Sequence, residues 1–442
     1  MNALTKTGTC VMLLMAALLT LTACGGNGNE IEEEPDWDAK ADHTLLMYMM
    51  GDNNLSSYLE GNVRQAQNAI RDSVKAGRIN LLVFKDTNKN NDNLPSLCWI
   101  HRSSATTLDT VPLLTYDHEI DACDPDIVRE VITTAFAQFG GTMKGMVIAS
   151  HAKGWVPLLA DKNYGASQSA KRNAIGLDSS TGTGQSGSLE LWDLTDALSQ
   201  AGIRLDYLIM DVCYAGTAEV AYQLRDVVHY MVGGTTEVQA AGMPYLNVVT
   251  RLASCQTASD LPEALAYGAK CYFDENAPYN QASRLGATIA VYDLTSMTTL
   301  AQAYQRLLAA NAERLSALAA MAYTDPDQLA SWSEQFQRYG RHESVATRYY
   351  YFDAKDYIDY LGEMDAADAT TASQALSEVV VKEYHDTRFY AIDIDHSCGL
   401  ALTIPQLLEL ANTTAYNSYF SPYSYSNLVN AYAMTDWAKA TL

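Results

Sequence analysis

Along the chain, short apolar runs alternate with amphipathic stretches, the pattern of an α/β protein. Thr44 to Met50 is the first run, closed by Gly51-Asp52-Asn53-Asn54-Leu55 and followed by a helical pattern through Ile70 and Val74. Ile79 to Phe84 and Leu97 to Arg102 are further strand candidates, and Asp124-Pro125-Asp126 starts a helix carrying Ile127, Val128, Val131 and Ile132. Lys144 to Ser150 and Tyr207 to Val212 are largely apolar without alternation, as strands buried on both faces of a parallel sheet are. After the second of these, Ala218 to Val228 places Ala218, Ala221, Leu224 and Val228 on one helical face, and His229 to Gly234 reads as the next strand. This βαβα order specifies a mostly parallel central sheet with helices on both faces.

Two regions depart from that rhythm. Asp161 to Ser188 is rich in Ser, Gly, Thr and Asn with little apolar periodicity, so an exposed loop is expected, ahead of a helix over Leu189 to Ala201. Beyond Leu246 the pattern is mainly helical through Tyr267, with a strand over Thr288 to Tyr292 and one long helix over Met297 to Tyr323. Tyr390 to Ile394 and Gly399 to Ile404 read as two late strands. With no sharp linker, residues 43–250 read as an α/β core and 251–442 as a C-terminal α+β extension of its sheet.

The first residues change the picture of where the chain resides. Lys6 precedes an apolar run from Cys10 to Leu21, too short for the ~20 residues of a membrane-spanning helix, and Leu21-Thr22-Ala23-Cys24 resembles a bacterial lipobox. Residues 1–23 are therefore expected to be a signal peptide and Cys24 a lipidated N-terminus. Residues 24–42 form a flexible tether whose acidic part resembles the surface-export signal of Bacteroidetes lipoproteins. The expected location is the outer membrane or cell surface.

A formal net charge of −23 argues against nucleic acid and would draw basic substrates over long range. Of the 8 cysteines, Cys10 leaves with the signal and Cys24 takes the lipid. The remaining six include no C-x-x-C pair, and H-E-x-x-H is absent, so zinc has no support. An odd number is left once Cys213 is reserved as a free thiol, and no disulfide is expected. Asp86 to Asp92 lacks the Gly and terminal Glu of a calcium loop and reads as a solvated hairpin loop. No metal or other cofactor is expected; calcium dependence is an open alternative without a motif.

The candidate chemistry sits at two strand ends. Cys213 leaves the run Tyr207 to Val212 just before a small-residue turn and a helix start, where partial positive charge favours thiolate over thiol. His151 leaves the run Lys144 to Ser150 in the same way. Alone, each has a bland explanation, a packed cysteine and a solvated loop histidine. If the two strands are neighbours about 4.8 Å apart, both side chains reach one scissile bond as a Cys/His dyad.

From Thr44 to Pro405 the chain resembles the clostripain family of cysteine peptidases, which share the caspase-like fold with gingipains and legumains. The resemblance rests on Leu46-Met47-Tyr48 with Asp52-Asn53-Asn54-Leu55, on Ser150-His151 with Gly154-Trp155, on Asp211-Val212-Cys213 through Tyr222, and on His396 to Pro405. It implies cleavage of proteins or peptides after Arg, less often Lys, with Cys213 as nucleophile, His151 as its partner and an acidic S1 pocket. Asp211 matches the family's acidic residue near that pocket, and Glu237 resembles a second. Backbone N–H groups at Ala152 and Cys213 would hold the oxyanion. Ala152 replaces the family's usual Gly, which would strain the chain by roughly 1 kcal/mol if φ there is positive. Family zymogens imply self-cleavage between the His and Cys motifs, here at Lys171-Arg172 or at Lys162. The competing reading is a catalytically weak or inactive surface lipoprotein that binds basic peptides in the same cleft.

Overall fold

The computed structural model describes residues 36–73, 78–87, 94–156, 174–179, 187–276, 285–342, 345–349, 351–390, 392–408 and 425–442. Cys24, Lys162, Lys171 and Arg172 lie outside them. Asp36–Leu442 form one compact unit.

Its centre is a nine-stranded sheet. The first five strands in the chain are β1 (His43–Met50), β2 (Asn80–Asp86), β3 (Ser96–Arg102), β4 (Leu108–Thr115) and β5 (Met143–Ala149). A small ribbon of β6 (Ala174–Asp178) and β7 (Gly187–Glu190) stands apart from the sheet. Then follow β8 (Leu205–Asp211), β9 (Val228–Gly233) and β10 (Thr288–Asp293). Across the sheet the order is Val380–His385, β10, β9, β8, β5, β1, β2, β3, β4. The five strands from β9 to β2 are mutually parallel, while both flanks are antiparallel.

Residue parity decides which face each side chain serves. Leu46, Tyr48 and Met50 of β1, with Met146, Ile148, Leu208 and Met210, pack in one core against α2 (Pro125–Gln138), α3 (Leu191–Gln200) and α4 (Ala218–Leu224). Leu45, Met47 and Met49, with Val147, Tyr207 and Ile209, pack in the other against α1 (Ser56–Asp72), α5 (Tyr245–Leu252) and α6 (Leu261–Asn276). The result is the expected mostly parallel α/β sheet covered on both sides. Among the described residues no helix is long and apolar enough to cross a membrane.

Several local expectations need correction. The polar stretch between the two motifs is not loop throughout. Its last part pairs β6 with β7 and buries Ile175 and Leu189, so helix α3 starts only at Leu191. The expected long helix is two, Met297–Ala310 and Ala312–Thr324. They part at the buried Asn311, whose amide donates to Leu307 O and Leu361 O at 2.9 Å each. Asp86 is the fully buried end of β2 rather than the start of a solvated loop. The late strands shrink to Ile392–Asp393 and Ala401–Leu402. Val380–His385, which has polar and half-exposed positions and so carries no apolar run, completes the sheet instead.

Candidate active site

Strands β5 and β8 are paired neighbours, with Ala149 opposite Asp211. Both chains therefore leave the sheet at the same level and on the same edge, and His151 and Cys213 each stand two residues beyond. Register alone puts them on the same edge of the sheet.

The turn that carries Cys213 is tightly held. Tyr214 adopts φ 58°, a left-handed conformation that costs a non-glycine residue roughly 1–2 kcal/mol. Its N–H donates to Thr236 O (3.0 Å), and Gly216 N–H donates to Gly234 O (2.8 Å), which fixes the turn to the loop after β9. A Cβ at Gly216 would lie 2.4 Å from the Tyr292 hydroxyl and 2.9 Å from Gly234 C, so only glycine fits. Helix α4 begins directly afterwards, with Thr217 Oγ1 accepting from Val220 N–H at 3.4 Å.

The C-terminal strand Ala401–Leu402 closes this arrangement. Ala401 bridges Thr217 in parallel and donates its N–H to Gly216 O (2.9 Å). Thr403 N–H donates to Glu219 Oε1 (2.9 Å), and the Thr403 hydroxyl accepts from the buried Trp155 indole N–H (2.7 Å). The histidine motif, the helix after Cys213 and the late strand thus share one bonded network.

His151 is half-buried, and its Nε2 lies 2.5 Å from Asn54 Oδ1, in the turn after β1. With Nε2 donating to the amide oxygen, the lone pair sits on Nδ1. Burial holds the imidazole pKa below its ordinary value, so the ring is neutral and a base at neutral pH. Cys213 is pushed up to about 12, first by burial and then by the Glu237 and Asp211 carboxylates, while the Val238 and Ala152 backbone N–H groups facing the sulfur pull the other way. The resting pair is thus thiol and neutral imidazole.

Ala152 carries no backbone penalty. Among the described residues only Tyr214 and Tyr390 have positive φ outside glycine, and in the histidine motif Gly154 takes that conformation at 64°. A Cβ there would lie 2.5 Å from the Tyr351 hydroxyl and 2.8 Å from Tyr214 O.

Asp211 is buried, with Oδ2 accepting from Met243 N–H (3.0 Å) and the Tyr245 hydroxyl (2.7 Å). Burial raises its pKa, and those two donors oppose the rise. Glu237 is exposed and accepts from the Tyr214 hydroxyl at 3.2 Å. Both carboxylates therefore flank the Cys213 turn, but only Glu237 opens to solvent.

Sequence reasoning assigned no role to Asn54, Tyr214 or Val238. For Asn54 a signal existed, because its turn leaves β1, the other neighbour of β5, at the same edge.

The Clostripain family model, peptidase C11, matches residues 47–440. A secreted C11 cysteine protease from Bacteroides thetaiotaomicron, solved with an irreversible peptide inhibitor, aligns with TM-score 0.67 at 20% identity over 91% of this chain and 99% of that one. An inactive zymogen C11 protease from Parabacteroides distasonis aligns with TM-score 0.66 at 21% identity over 91% and 99%. No curated protein matches. The solved structures share the caspase-like fold, and the family match spans the sheet, both motif turns and the closing strand: the chain belongs to the clostripain family of C11 cysteine peptidases.

Proposed function

We propose that the protein is a lipid-anchored cysteine endopeptidase that cleaves after Arg, less readily after Lys, with Cys213 as nucleophile and His151 as its acid–base partner. The observation that supports this reading is that both residues follow, by two positions, the paired ends of neighbouring parallel strands, with the Ala152 N–H turned toward the sulfur. Substrate binding brings a carbonyl into that position. The Cys213 proton passes to His151, the sulfur bonds to the carbonyl carbon, and the Ala152 and Cys213 N–H groups receive the oxyanion. His151 then returns the proton to the departing amine, and water hydrolyses the thioester.

Glu237 and Asp211 supply negative charge for a basic side chain before the scissile bond. The relative solved with an irreversible peptide inhibitor supports a peptide-binding cleft. The relative described as an inactive zymogen supports self-processing between the two motifs, at Arg172, Lys171 or Lys162. Export and anchoring through Cys24 rest on the N-terminal sequence and agree with a relative described as secreted.

An irreversible, arginine-directed, thiol-reactive peptide probe tests the enzyme reading. The parent should carry one adduct on Cys213 by peptide mass spectrometry, and Cys213→Ala and His151→Ala should carry none there. A second reading, a surface protein that binds basic peptides without cleaving them, draws on the protonated resting thiol. It would be preferred if peptide binds but Cys213 stays unlabelled.

A further inference from the structure

The two motif turns meet through their backbones. Gly154, three residues after His151, stands where a Cβ would lie 2.8 Å from Tyr214 O, and Tyr214 directly follows Cys213. A side chain from much later in the chain covers this contact. Tyr351 is buried there, and its backbone O accepts from Tyr339 N–H at 3.0 Å.

That one side chain reaches both turns. Its hydroxyl donates to Lys153 O, two residues after His151. Its ring lies against the Tyr214 ring, with centroids 5.3 Å apart and planes inclined at 35°. The fit leaves no slack on either side. A Cβ at Gly154 would lie 2.5 Å from the Tyr351 hydroxyl, and one at Gly340 would lie 2.5 Å from Tyr351 Cδ2 and 3.3 Å from Tyr214 Cε1. Packing this close transmits a displacement instead of absorbing it.

A hydroxyl that served stability alone could bond any buried carbonyl. The one it bonds belongs to the residue after Ala152, whose N–H faces the Cys213 sulfur. Planar peptides leave two soft dihedrals per residue, so fixing the Lys153 carbonyl restricts the Ala152 N–H and the His151 backbone just before it. On the other side, Tyr214 is held at φ 58° by its N–H bond to Thr236 O, which gives the ring a firm surface to rest on.

We propose that Tyr351 is a positioning residue for the Cys213–His151 pair, its hydroxyl and ring setting the histidine turn against the cysteine turn. The proposal rests on the cysteine-peptidase reading above. Tyr351 acts through the two turns and not on the substrate. Linear spacing cannot reveal it, because 198 positions separate Tyr351 from Lys153.

Steady-state cleavage of a fluorogenic peptide amide with Arg before the scissile bond, by the full-length chain, tests the role alongside Tm. Tyr351→Phe keeps the ring and removes the hydroxyl. It should lower kcat by about ten- to a hundredfold, since a misplacement of about 1 Å can cost about 10²-fold, with little change in KM. Tyr48→Phe is the control, because Tyr48 also donates its buried hydroxyl to a backbone carbonyl, Ala122 O, at 2.8 Å. It should lose a similar amount of Tm and keep the parent's kcat. Placing 4-aminophenylalanine at position 351 retains the ring and a donor and should return part of the lost kcat. If Tyr351→Phe does not fold, that protein decides, with kcat below the parent's at unchanged KM expected and an equal kcat overturning the proposal. An unchanged kcat in folded Tyr351→Phe, or an equal loss of kcat in Tyr48→Phe, would overturn it as well. A parent that neither cleaves the peptide nor takes the thiol-reactive probe on Cys213 would overturn the peptidase reading and this proposal with it.

Discussion

His151 Nε2 and Asn54 Oδ1 are 2.5 Å apart, although 97 positions separate them in the chain. The contact arises because β1 and β5 are neighbours in the sheet and release their turns on one edge. It fixes the imidazole's tautomer and its orientation. Asn54→Ala should therefore lower kcat by about ten- to a hundredfold, a share of the ~10²–10⁴ that a positioned acid–base group supplies, with little change in KM. Asn54→Asp keeps an acceptor and adds a negative charge, so it should restore much of the rate and move the acid limb of the pH profile upward. An unchanged rate in Asn54→Ala would remove this residue from the catalytic machinery.

Reactivity of the resting thiol offers a second test. With Cys213 pushed up to about 12, almost none of it is thiolate at pH 7.5, and iodoacetamide should alkylate it far more slowly than a free cysteine. Activity should behave differently on the proposed mechanism, in which His151 accepts the proton in the substrate complex. Since burial lowers the histidine pKa, the acid limb of kcat/KM should fall below 6.5. Rapid alkylation at neutral pH would show that the thiol is already ionised.

Charge selectivity can be separated from stability at the two acidic positions. Glu237 is exposed and makes one weak hydrogen bond, so Glu237→Gln should reduce the preference for Arg over neutral residues without lowering Tm. Asp211 anchors Met243 and Tyr245, so Asp211→Asn should cost stability as well, on the order of 1–3 kcal/mol for disturbing a buried charged acceptor. If Arg selectivity survives both substitutions, the basic side chain is recognised elsewhere.

How much of this was readable beforehand follows from which interactions are local. The strands β1, β5 and β8 and the Cys213 turn announce themselves because burial on both faces demands an unbroken apolar run. Asn54 and Tyr214 do not, since their roles depend on which turn meets which across the sheet. The β6–β7 ribbon was masked by its Ser and Gly content, and Asn311 breaks a helix whose apolar period runs on through it. The pairing of β5 with β8 was an assumption in the sequence and a consequence of topology in the fold.

Glu219 gives a stability test that is independent of catalysis. It is buried against Thr403, and its pKa is raised from 4.5 to about 7, mainly by burial. A raised folded-state value means stability is fully present below about pH 4.5 and lost as pH rises through about 7. The shift corresponds to something on the order of 3 kcal/mol. Glu219→Gln retains the acceptor for Thr403 N–H without the charge, so urea midpoints of the variant should exceed those of the parent above pH 7 and converge toward them near pH 4.5. Parallel pH profiles would place the cost of the charge elsewhere.

The bridge between Thr217 and Ala401 also bears on the order in which the candidate site is assembled. During synthesis the ribosome has released Cys213 and His151 long before it reaches residue 401. Until that segment emerges and docks, Gly216 O lacks its bond and the Trp155–Thr403 and Glu219–Thr403 contacts do not exist. A nascent chain therefore holds both candidate residues before the late strand has bonded to the two motifs that carry them. Translation itself completes this frame only after residue 401 has emerged, well after both motif turns.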